Sequence, residues 1–570
     1  MSATAKKKPK KKKRRCRTVV DRKTRRRKKV CTPATKKKRA PAAKKKAPVK
    51  VPPAPKALPG QPVPSAAAPP ATAGLPAPAG GPGPGPTPTP PPPPPPPPDP
   101  DPEDPHAGIP RQGTFGPKEA ERLLWRAGFG PRPGEVATFA TYTVEQAVHA
   151  LTRPQSPEQL LGAAPVDSQG APYNEQRAHG EYGANVIWWF DRMLRTSWPL
   201  AERMALVWHD WFATADRQII GRARMIKQYK LLKQHWAGNF RRLALEVTVD
   251  EAMLKWLNGV DNAKGAPNEN YARELMELFT LGADRGAYTE TDVRELARVL
   301  TGYSCRWLVE IQDDGDFRLY PERHDTGTKT LWAGTPHERR GTFGWAQRNG
   351  IWESDAVDLC LQNPFHPSFF VRKLWSYFIP SDPPPATQAG LEELYVAGGY
   401  EVRPVLEAIL MHPDLYADRR MVKPPAVYIA GLMRARGATI RTYGFDGVLE
   451  VAGQRLFDPP DVAGWRDSAW LDTSTLLGRA EAVTATLDGH DVPVDGTYPR
   501  TETGPDAVAK ALQFWGSPSI TAAARQELES FAATCVDDAA LTPENRSRWR
   551  AQRQNALRYL IALGPDYQTS

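Results

Sequence analysis

The sequence predicts an all-α protein. We expect one large, mainly helical globular body with a single irregular, loop-rich insertion, preceded by a long disordered N-terminal region that is first basic and then proline-rich. Apolar residues recur at helical spacing from residue 117 onward, and helices do not alternate with short strands as a parallel α/β fold would require. Because the composition changes twice, we expect a polybasic tail at residues 1–56, a linker at 57–112 and a helical domain at 113–570.

The tail carries most of the charge asymmetry. It holds 26 lysines and arginines and one acid, Asp21, which is a net charge of +25. The whole chain has 77 basic and 63 acidic residues, so the remainder has 51 basic and 62 acidic residues, a net charge of −11. Such a polar tail buries too little surface to offset its ordering entropy, which predicts disorder. Two interpretations stay open: binding to a polyanion (nucleic acid, anionic lipid or a cell-wall polymer), or a solvated tail without a specific partner.

The linker is rich in proline, alanine and glycine, and residues 91–98 are all proline. This composition is typical of a polyproline II spacer, extended by about 3.1 Å per residue. Proline-rich ligands of recognition domains have a similar composition, but the spacer is the simpler interpretation.

The five cysteines show neither zinc nor redox spacing, and their odd number argues against a disulfide scaffold; only a Cys305–Cys360 bridge stays open. No run of about 18 apolar residues predicts a membrane span. The basic N-terminus includes Arg14 and Arg15, but no apolar core of a signal peptide follows. The sequence therefore leaves localisation undetermined.

Helical patterns follow one another through the body. Capping residues, stop signals and shared apolar faces predict helices at residues 117–128, 199–213, 223–236, 243–257 and 548–563, and an aromatic helix at 369–378. Thr289 caps a further helix, with Asp292 at its third position. Between residues 303 and 350 the periodicity fails, and we expect a long loop with short strands at 317–320 and 329–332. Long loops inside compact domains are often functional.

Residues 267–282, PNENYARELMELFTLG, form the most informative stretch. Asn268 is a suitable N-terminal cap and Gly282 a suitable stop, which predicts one amphipathic helix. Its apolar face combines Tyr271, Ala272, Leu275, Met276, Leu278 and Phe279.

The opposite face of this helix groups three carboxylates around Arg273. One interpretation is a solvated ladder, Glu269–Arg273–Glu277, of i,i+4 ion pairs, and it is favoured because such ladders are common. The other is a functional face on which Glu274 and Glu277 bind a metal ion or act as acid and base, with Arg273 holding a carboxylate in place.

Histidines supply the other candidate ligands. His324 and Asp325 lie in the irregular loop, four to five residues before Lys329, and an imidazole and a carboxylate can share one metal ion. The alternative is that they form hydrogen bonds within the loop. His209 and His235 border the apolar faces of two early helices, where a histidine is more often a core residue than a ligand.

A second aromatic motif follows later in the chain. In PPDVAGWRDSAW, residues 459–470, Trp465 and Trp470 are suited to line a groove for a sugar or a peptide. The alternative, which we favour, is a packed turn whose tryptophans fill the core.

Several of these motifs resemble the DUF1800 family, a bacterial family of unknown function. The resemblance rests on residues 267–282 and on ARVLTGY at 297–303, and extends to RAGFGP at 126–131. It also covers WH-x-x-F at His209, H-x-x-G-N-F at His235, HD-x-G-x-K at His324 and PP-x-V-x-GW. The resemblance implies one large helical unit. Many family members look exported, so the lack of a signal peptide is a departure. Members are often encoded beside sulfatase-like DUF1501 proteins, which implies such a partner.

Two functions remain. The chain has no P-loop, Rossmann fingerprint, G-x-S-x-G elbow or H-E-x-x-H motif, which weakens nucleotide-dependent and common hydrolase chemistries. One hypothesis is a metal-dependent enzyme, a hydrolase or an oxidoreductase, with one divalent metal ion. Its candidate metal ligands are His209, His235, His324 and Asp325, and its candidate catalytic residues are Glu274, Glu277, Arg273 and Lys329. The alternative is a non-catalytic partner-binding or assembly protein, tethered to a polyanionic surface by its basic tail.

Overall fold

A computed structural model describes residues 106 and 108–570 of the chain, except 220–221, 306–316, 349–350, 441–443, 500 and 535–540. Within the first 105 residues it describes two strands only. Contacts divide the chain into two units, residues 1–90 and residues 91–570. We describe each unit separately.

The first unit contains an antiparallel hairpin of β1 (Arg15–Val20) and β2 (Arg27–Thr32), in which Cys16 lies opposite Cys31. This hairpin falls inside the tail for which the sequence predicts disorder. The rest of that prediction and the polyproline II spacer lie outside the described residues. The last residues of the predicted linker are packed, since the backbone N–H of Gln112 donates to the carbonyl of Met411 at 2.8 Å.

The second unit is mainly helical, as predicted. Its first helices are α1 Pro117–Arg126, α2 Glu135–Phe139, α3 Val144–Thr152, α4 Glu175–Gly180, α5 Ala184–Arg195, α6 Pro199–Trp211, α7 Arg222–Gln234, α8 Phe240–Thr248, α9 Glu251–Trp256, α10 Asn270–Glu274, α11 Glu290–Val299 and α12 Asp355–Leu361. The later helices are α13 His366–Ser376, α14 Pro385–Ala397, α15 Val402–Met411, α16 Pro413–Tyr416, α17 Pro425–Arg434, α18 Phe445–Val451, α19 Thr473–Leu487, α20 Gly504–Phe514, α21 Ala522–Thr534, α22 Pro543–Leu563 and α23 Pro565–Gln568. None of the described helices is long and apolar enough to cross a membrane.

The irregular insertion consists of three two-stranded antiparallel hairpins. Its strands are β3 Tyr303–Cys305 with β4 Phe317–Leu319, β5 Lys329–Leu331 with β6 Arg339–Gly341, and β7 Trp345–Arg348 with β8 Ile351–Ser354. The two short strands predicted here are confirmed within one residue. Cys305 and Cys360 are both buried and both free, so the disulfide that the sequence left open does not form.

Two hydrophobic cores share the second unit, and α6 lies between them. Val207, Trp208 and Trp211 of α6 belong to the first core, which also contains the apolar face of residues 271–279. Leu206 of α6 belongs to the second core, which is built largely from α5, α17, α19 and α22. Helix α6 is therefore buried on nearly all sides, and its polar residues cannot all face solvent.

Two predicted helices are interrupted. Residues 243–257 form α8 and α9 rather than one helix, because the side chain of Asp250 accepts the backbone N–H of Met253 at 2.9 Å and begins a new helix. Residues 267–282 begin as α10 and continue as a π-helix, Leu275–Thr280. In both places apolar periodicity alone predicts a continuous helix, because the interruption leaves the spacing of the buried residues nearly unchanged.

The close approach of α18 and α19 offers a test of the packing of the second core. A Cβ atom at Gly478 of α19 would lie 2.0 Å from the carbonyl oxygen of Val451, which is backbone and cannot move aside. We predict that Gly478→Ala lowers the free energy of unfolding by about 2 kcal/mol. Gly447→Ala in α18 is the control, because a Cβ there meets no atom within 4 Å, and it should be neutral or stabilising. Urea unfolding measures both variants; equal effects would contradict the close packing.

Candidate functional site

The apolar face of residues 267–282 is buried as predicted. Gly282 adopts a left-handed conformation with φ of +90°, as its role as a stop requires. The side chain of Asn268 accepts the backbone N–H of Asn270 at 3.0 Å, close to the predicted cap. The last turn widens into the π-helix, in which the backbone N–H of Leu281 donates to the carbonyl of Met276 at 2.8 Å.

The polar face forms ion pairs with the next helix. Arg273 donates to both carboxylate oxygens of Glu290 at 2.7 and 2.8 Å, and to Glu269 at 3.2 Å. Glu277 does not pair with Arg273 as the predicted ladder requires; it accepts the hydroxyl of Tyr288 at 3.4 Å. Burial, together with the charge of Glu277, raises the pKa of Glu274 to about 7. Arg273 pairs with Glu290 instead of Glu277 because α11 lies beside this face, and the spacing of residues in the sequence does not reveal that position.

The residues of the HD-x-G-x-K motif interact within and behind the insertion. Nδ1 of His324 lies 2.9 Å from the carbonyl oxygen of Thr301. Asp325 accepts Nε of Arg298 at 2.7 Å, which lowers the pKa of that carboxyl. Lys329 is fully buried and donates to two backbone carbonyls of the insertion. These contacts match the loop-stabilising alternative for His324 and Asp325, and Lys329 binds two backbone carbonyls.

The two histidines on early helices lie in different environments. His209 is buried, its Nε2 has no hydrogen-bond partner, and burial lowers its pKa to about 3, so the ring is neutral. Its ring packs against three aromatic side chains: Trp189, Phe457 and Trp465. Nε2 of His235 lies 3.1 Å from a carboxylate oxygen of Glu246.

The predicted metal ligands are not brought together in the part of the chain that the structure describes. The three histidines have different neighbours: His209 packs against aromatic rings, His235 lies beside Glu246, and His324 lies beside Thr301. Among the described residues, no three or more His, Cys, Asp or Glu side chains are arranged to hold a metal ion. The carboxylates of Glu274 and Glu277 lie on the helix of residues 267–282, which we call the signature helix, and none of the three histidines contacts them.

A different site lies between the two cores. Residues of α6, of the end of α13 and of the loop at residues 463–470 enclose a cavity of about 290 Å³, which we call the tryptophan-walled cavity. The side chains that matter for its chemistry are Arg203, Asp210, Lys373, Tyr377, Trp465 and Trp470. Both tryptophans are buried, so they fill the core on one side and line the cavity on the other. The burial of both tryptophans confirms the packed turn, and a groove for a sugar or a peptide stays a prediction.

Arg203 is the most unusual residue of the cavity. Only 5% of it is exposed, yet its guanidinium donates no hydrogen bond to any described residue and no described carboxylate pairs with it. Burial lowers its pKa to about 10, so it stays charged at neutral pH. Its Nε is a buried donor without a hydrogen-bond partner, which is costly inside a protein, and its terminal nitrogens offer further donors to the cavity.

Asp210 lies on the same face of α6, seven residues after Arg203. Its two carboxylate oxygens accept one hydrogen bond each, from the hydroxyl of Tyr377 and from the backbone N–H of Trp465, both at 2.7 Å. Burial raises the pKa of this carboxyl to about 6. Burial lowers the pKa of the Lys373 ammonium to about 8. The cavity thus brings two titratable groups close to neutral pH, as functional sites often do.

The signature helix supports this cavity from behind. The ammonium of Lys373 donates to the carbonyl of Leu278 at 2.8 Å, and the indole N–H of Trp211 donates to the carbonyl of Phe279 at 3.1 Å. Both carbonyls belong to the π-helix, at its negative end. The family-like stretch therefore positions residues of the cavity without lining it.

Sequence reasoning missed Arg203, Asp210, Lys373 and Tyr377. A signal existed on α6, since Arg203 and Asp210 are seven residues apart on one face of a helix whose other residues are mostly apolar. Charged residues inside an otherwise apolar helix are rarely buried without a partner or a function. The tryptophans of the same cavity were identified as candidates.

The fold and the cavity define a large helical protein with a polar site enclosed between two cores. Residues 122–569 match the family model of DUF1800, described as a protein of unknown function. Because the match covers most of the chain, the protein belongs to the DUF1800 family. No curated protein and no solved structure matches the chain.

The raised pKa of Asp210 predicts a pH-dependent stability. The pKa of this carboxyl is higher in the folded state than in the unfolded state, so its ionisation costs more in the folded protein. The free energy of unfolding therefore falls as the pH rises from about 4 to 6. Asp210→Asn removes this loss. We expect its free energy of unfolding, relative to the wild type, to improve by about 2 kcal/mol between pH 4 and pH 7.5.

Urea unfolding at the two pH values measures this change. Asp325→Asn is the matched control with the opposite sign, because Arg298 lowers the pKa of Asp325 and stabilises the charged form. That variant should lose stability relative to the wild type as the pH rises through the ordinary range of a carboxyl. A pH-independent difference for Asp210→Asn would show that Asp210 titrates normally.

Proposed function

We propose that this protein binds a small anionic ligand in the tryptophan-walled cavity, with Arg203 as the residue that anchors the anion. The proposal depends on one observation: Arg203 is a buried charge that lines a cavity and makes no hydrogen bond within the described residues. A bound anion would satisfy its donors, and planar guanidinium groups bind carboxylates and phosphates in a bidentate manner.

A neighbouring arginine shows how a buried guanidinium is satisfied within the protein. Burial, followed by the charges of Arg122 and Arg203, lowers the pKa of Arg126 to about 9. Arg126 donates from both terminal nitrogens to the carbonyls of Phe378, Arg419 and Ser570, while its Nε has no partner among the described residues. Arg203 differs in having no such partner. The charges of Asp467 and Asp210 act on Arg203 from a distance, but its hydrogen-bond donors are left for a ligand.

The size and walls of the cavity indicate a small organic molecule. A volume of about 290 Å³ is close to the lower end of the range for ligand sites, which is about 300–1,000 Å³. The indoles of Trp465 and Trp470 offer flat apolar surface beside the charged groups. The buried indole N–H of Trp470 has no hydrogen-bond partner and adds an unused donor.

The earlier hypotheses relate to this proposal in different ways. A metal-dependent enzyme requires its ligands to converge, and the described histidines have separate neighbours, so we place anion binding first. An assembly protein tethered by residues 1–56 is compatible with an occupied cavity. A polyanion bound by the tail and a DUF1501-like partner stay predictions.

Stability measurements distinguish a binding role of Arg203 from a structural one. Removing an unpaired buried charge relieves its desolvation, so Arg203→Met should leave the free energy of unfolding unchanged or raise it by about 1 kcal/mol in anion-free buffer. Arg434→Met is the control. Arg434 is equally buried, but it donates to the carbonyls of Gly130 and Leu194, so its loss should cost about 3 kcal/mol.

Chemical unfolding of both variants gives the answer. If Arg203→Met is as destabilising as Arg434→Met, Arg203 is a structural residue and the proposal fails. Calorimetric titration with inorganic phosphate completes the test. The wild type should show a heat of phosphate binding that is absent from Arg203→Met.

A further inference from the structure

We propose that the tryptophan-walled cavity selects hydrogen phosphate, an oxyanion that carries its own proton at neutral pH, over a fully ionised anion such as sulfate. Asp210 is the residue that makes this distinction, by accepting a hydrogen bond from the protonated oxygen of the ligand. The inference rests on the proposed function, since it requires the anion to bind beside Arg203.

The position of Asp210 supplies the acceptor. Each of its oxygens accepts one hydrogen bond, from Tyr377 and from the backbone of Trp465, and a carboxylate oxygen can accept two. A lone pair therefore stays available on each oxygen, in a carboxylate that lines the same cavity as Arg203. The carboxylate is also fixed in place. A Cβ atom at Gly464 would lie 2.2 Å from its Oδ1, so the loop backbone packs directly against it.

The groups that face Asp210 come from each element around the cavity. Arg203 lies on α6, Lys373 lies on α13, Tyr377 follows α13, and Asp467 lies at the exposed edge of the 463–470 loop. The two cations attract an anion, whereas the two carboxylates repel one. Arg203 forms no ion pair with Asp210 or Asp467. A ligand in the cavity would therefore be attracted by the guanidinium and repelled by the two carboxylates.

This mixture of charges treats two kinds of anion differently. Hydrogen phosphate keeps an O–H group at neutral pH and donates it to Asp210, while its other oxygens accept from Arg203. Sulfate has no proton to donate, so its oxygen would face the oxygen of Asp210 without a hydrogen between them. Leaving a buried acceptor opposed by another acceptor costs more than a lost hydrogen bond, because the two negative charges also repel.

The experiment compares sodium phosphate, methyl phosphate and sodium sulfate by calorimetric titration of the full-length protein at pH 7.5 and constant ionic strength. Full-length Arg203→Met and Asp210→Asn are titrated in parallel. Any binding of anions by the basic tail is common to all three proteins, so the component lost in Arg203→Met isolates the cavity. Methyl phosphate is a second anion without a proton to donate, because the second pKa of a phosphate monoester is about 6, and it should bind as weakly as sulfate.

We expect the wild-type cavity to bind phosphate at least tenfold more tightly than sulfate. In Asp210→Asn the amide N–H₂ can donate to sulfate, so the preference should fall below threefold. If the cavity component is equal for phosphate and sulfate in the wild type, selection by Asp210 is wrong while anion binding stands. If no anion gives a component that Arg203→Met removes, the proposed function itself fails. Thermal unfolding of each variant confirms that it is folded.

Discussion

Three backbone carbonyls at the end of the signature helix hold the centre of this molecule together. The π-helical turn presents the carbonyls of Leu278, Phe279 and Thr280, which contact Lys373, Trp211 and His366 at 2.8, 3.1 and 2.8 Å. Helix ends leave such carbonyls without backbone partners, and here side chains from α6 and α13 satisfy them. Asp210 lies on α6, Lys373 lies on α13, and Tyr377 directly follows α13. The signature helix therefore positions the residues of the cavity without contributing a side chain to its chemistry.

The charges between the cores are only partly compensated. Arg126 and Arg434, two other buried arginines, donate to several carbonyls each, whereas Arg203 donates to none that the structure describes. Asp210 keeps its proton to an unusually high pH because burial disfavours its charge. A fold that needed only stability would replace such groups by apolar side chains, since an unpaired buried charge is destabilising. Their presence is the physical basis for assigning a ligand to this cavity rather than to the signature helix.

The sequence predicted most of the fold and little of the site, for physical reasons that particular residues illustrate. The buried face of residues 271–279, the stop at Gly282 and the cap at Thr289 follow from local rules of helix geometry, and all three are confirmed. The sequence does not predict the break at Asp250, because the residue type alone does not show whether an aspartate lies within a helix or caps its start. The partner of Arg273 is Glu290 rather than Glu277, and Arg203 and Lys373 line one cavity although 170 residues of chain separate them. Such contacts depend on how helices pack, which periodicity does not encode.

The location of the cavity between two separate cores has a mechanical consequence. Helix α6 contributes residues to both cores, and its Leu206 and Val207 line the cavity from opposite cores. A ligand that contacts Arg203 on α6 and the tryptophans of the loop at residues 463–470 would act as a non-covalent cross-link between the two halves of the domain. Occupancy would then change how cooperatively the halves unfold: two partly independent units without the ligand, and a single unit with it.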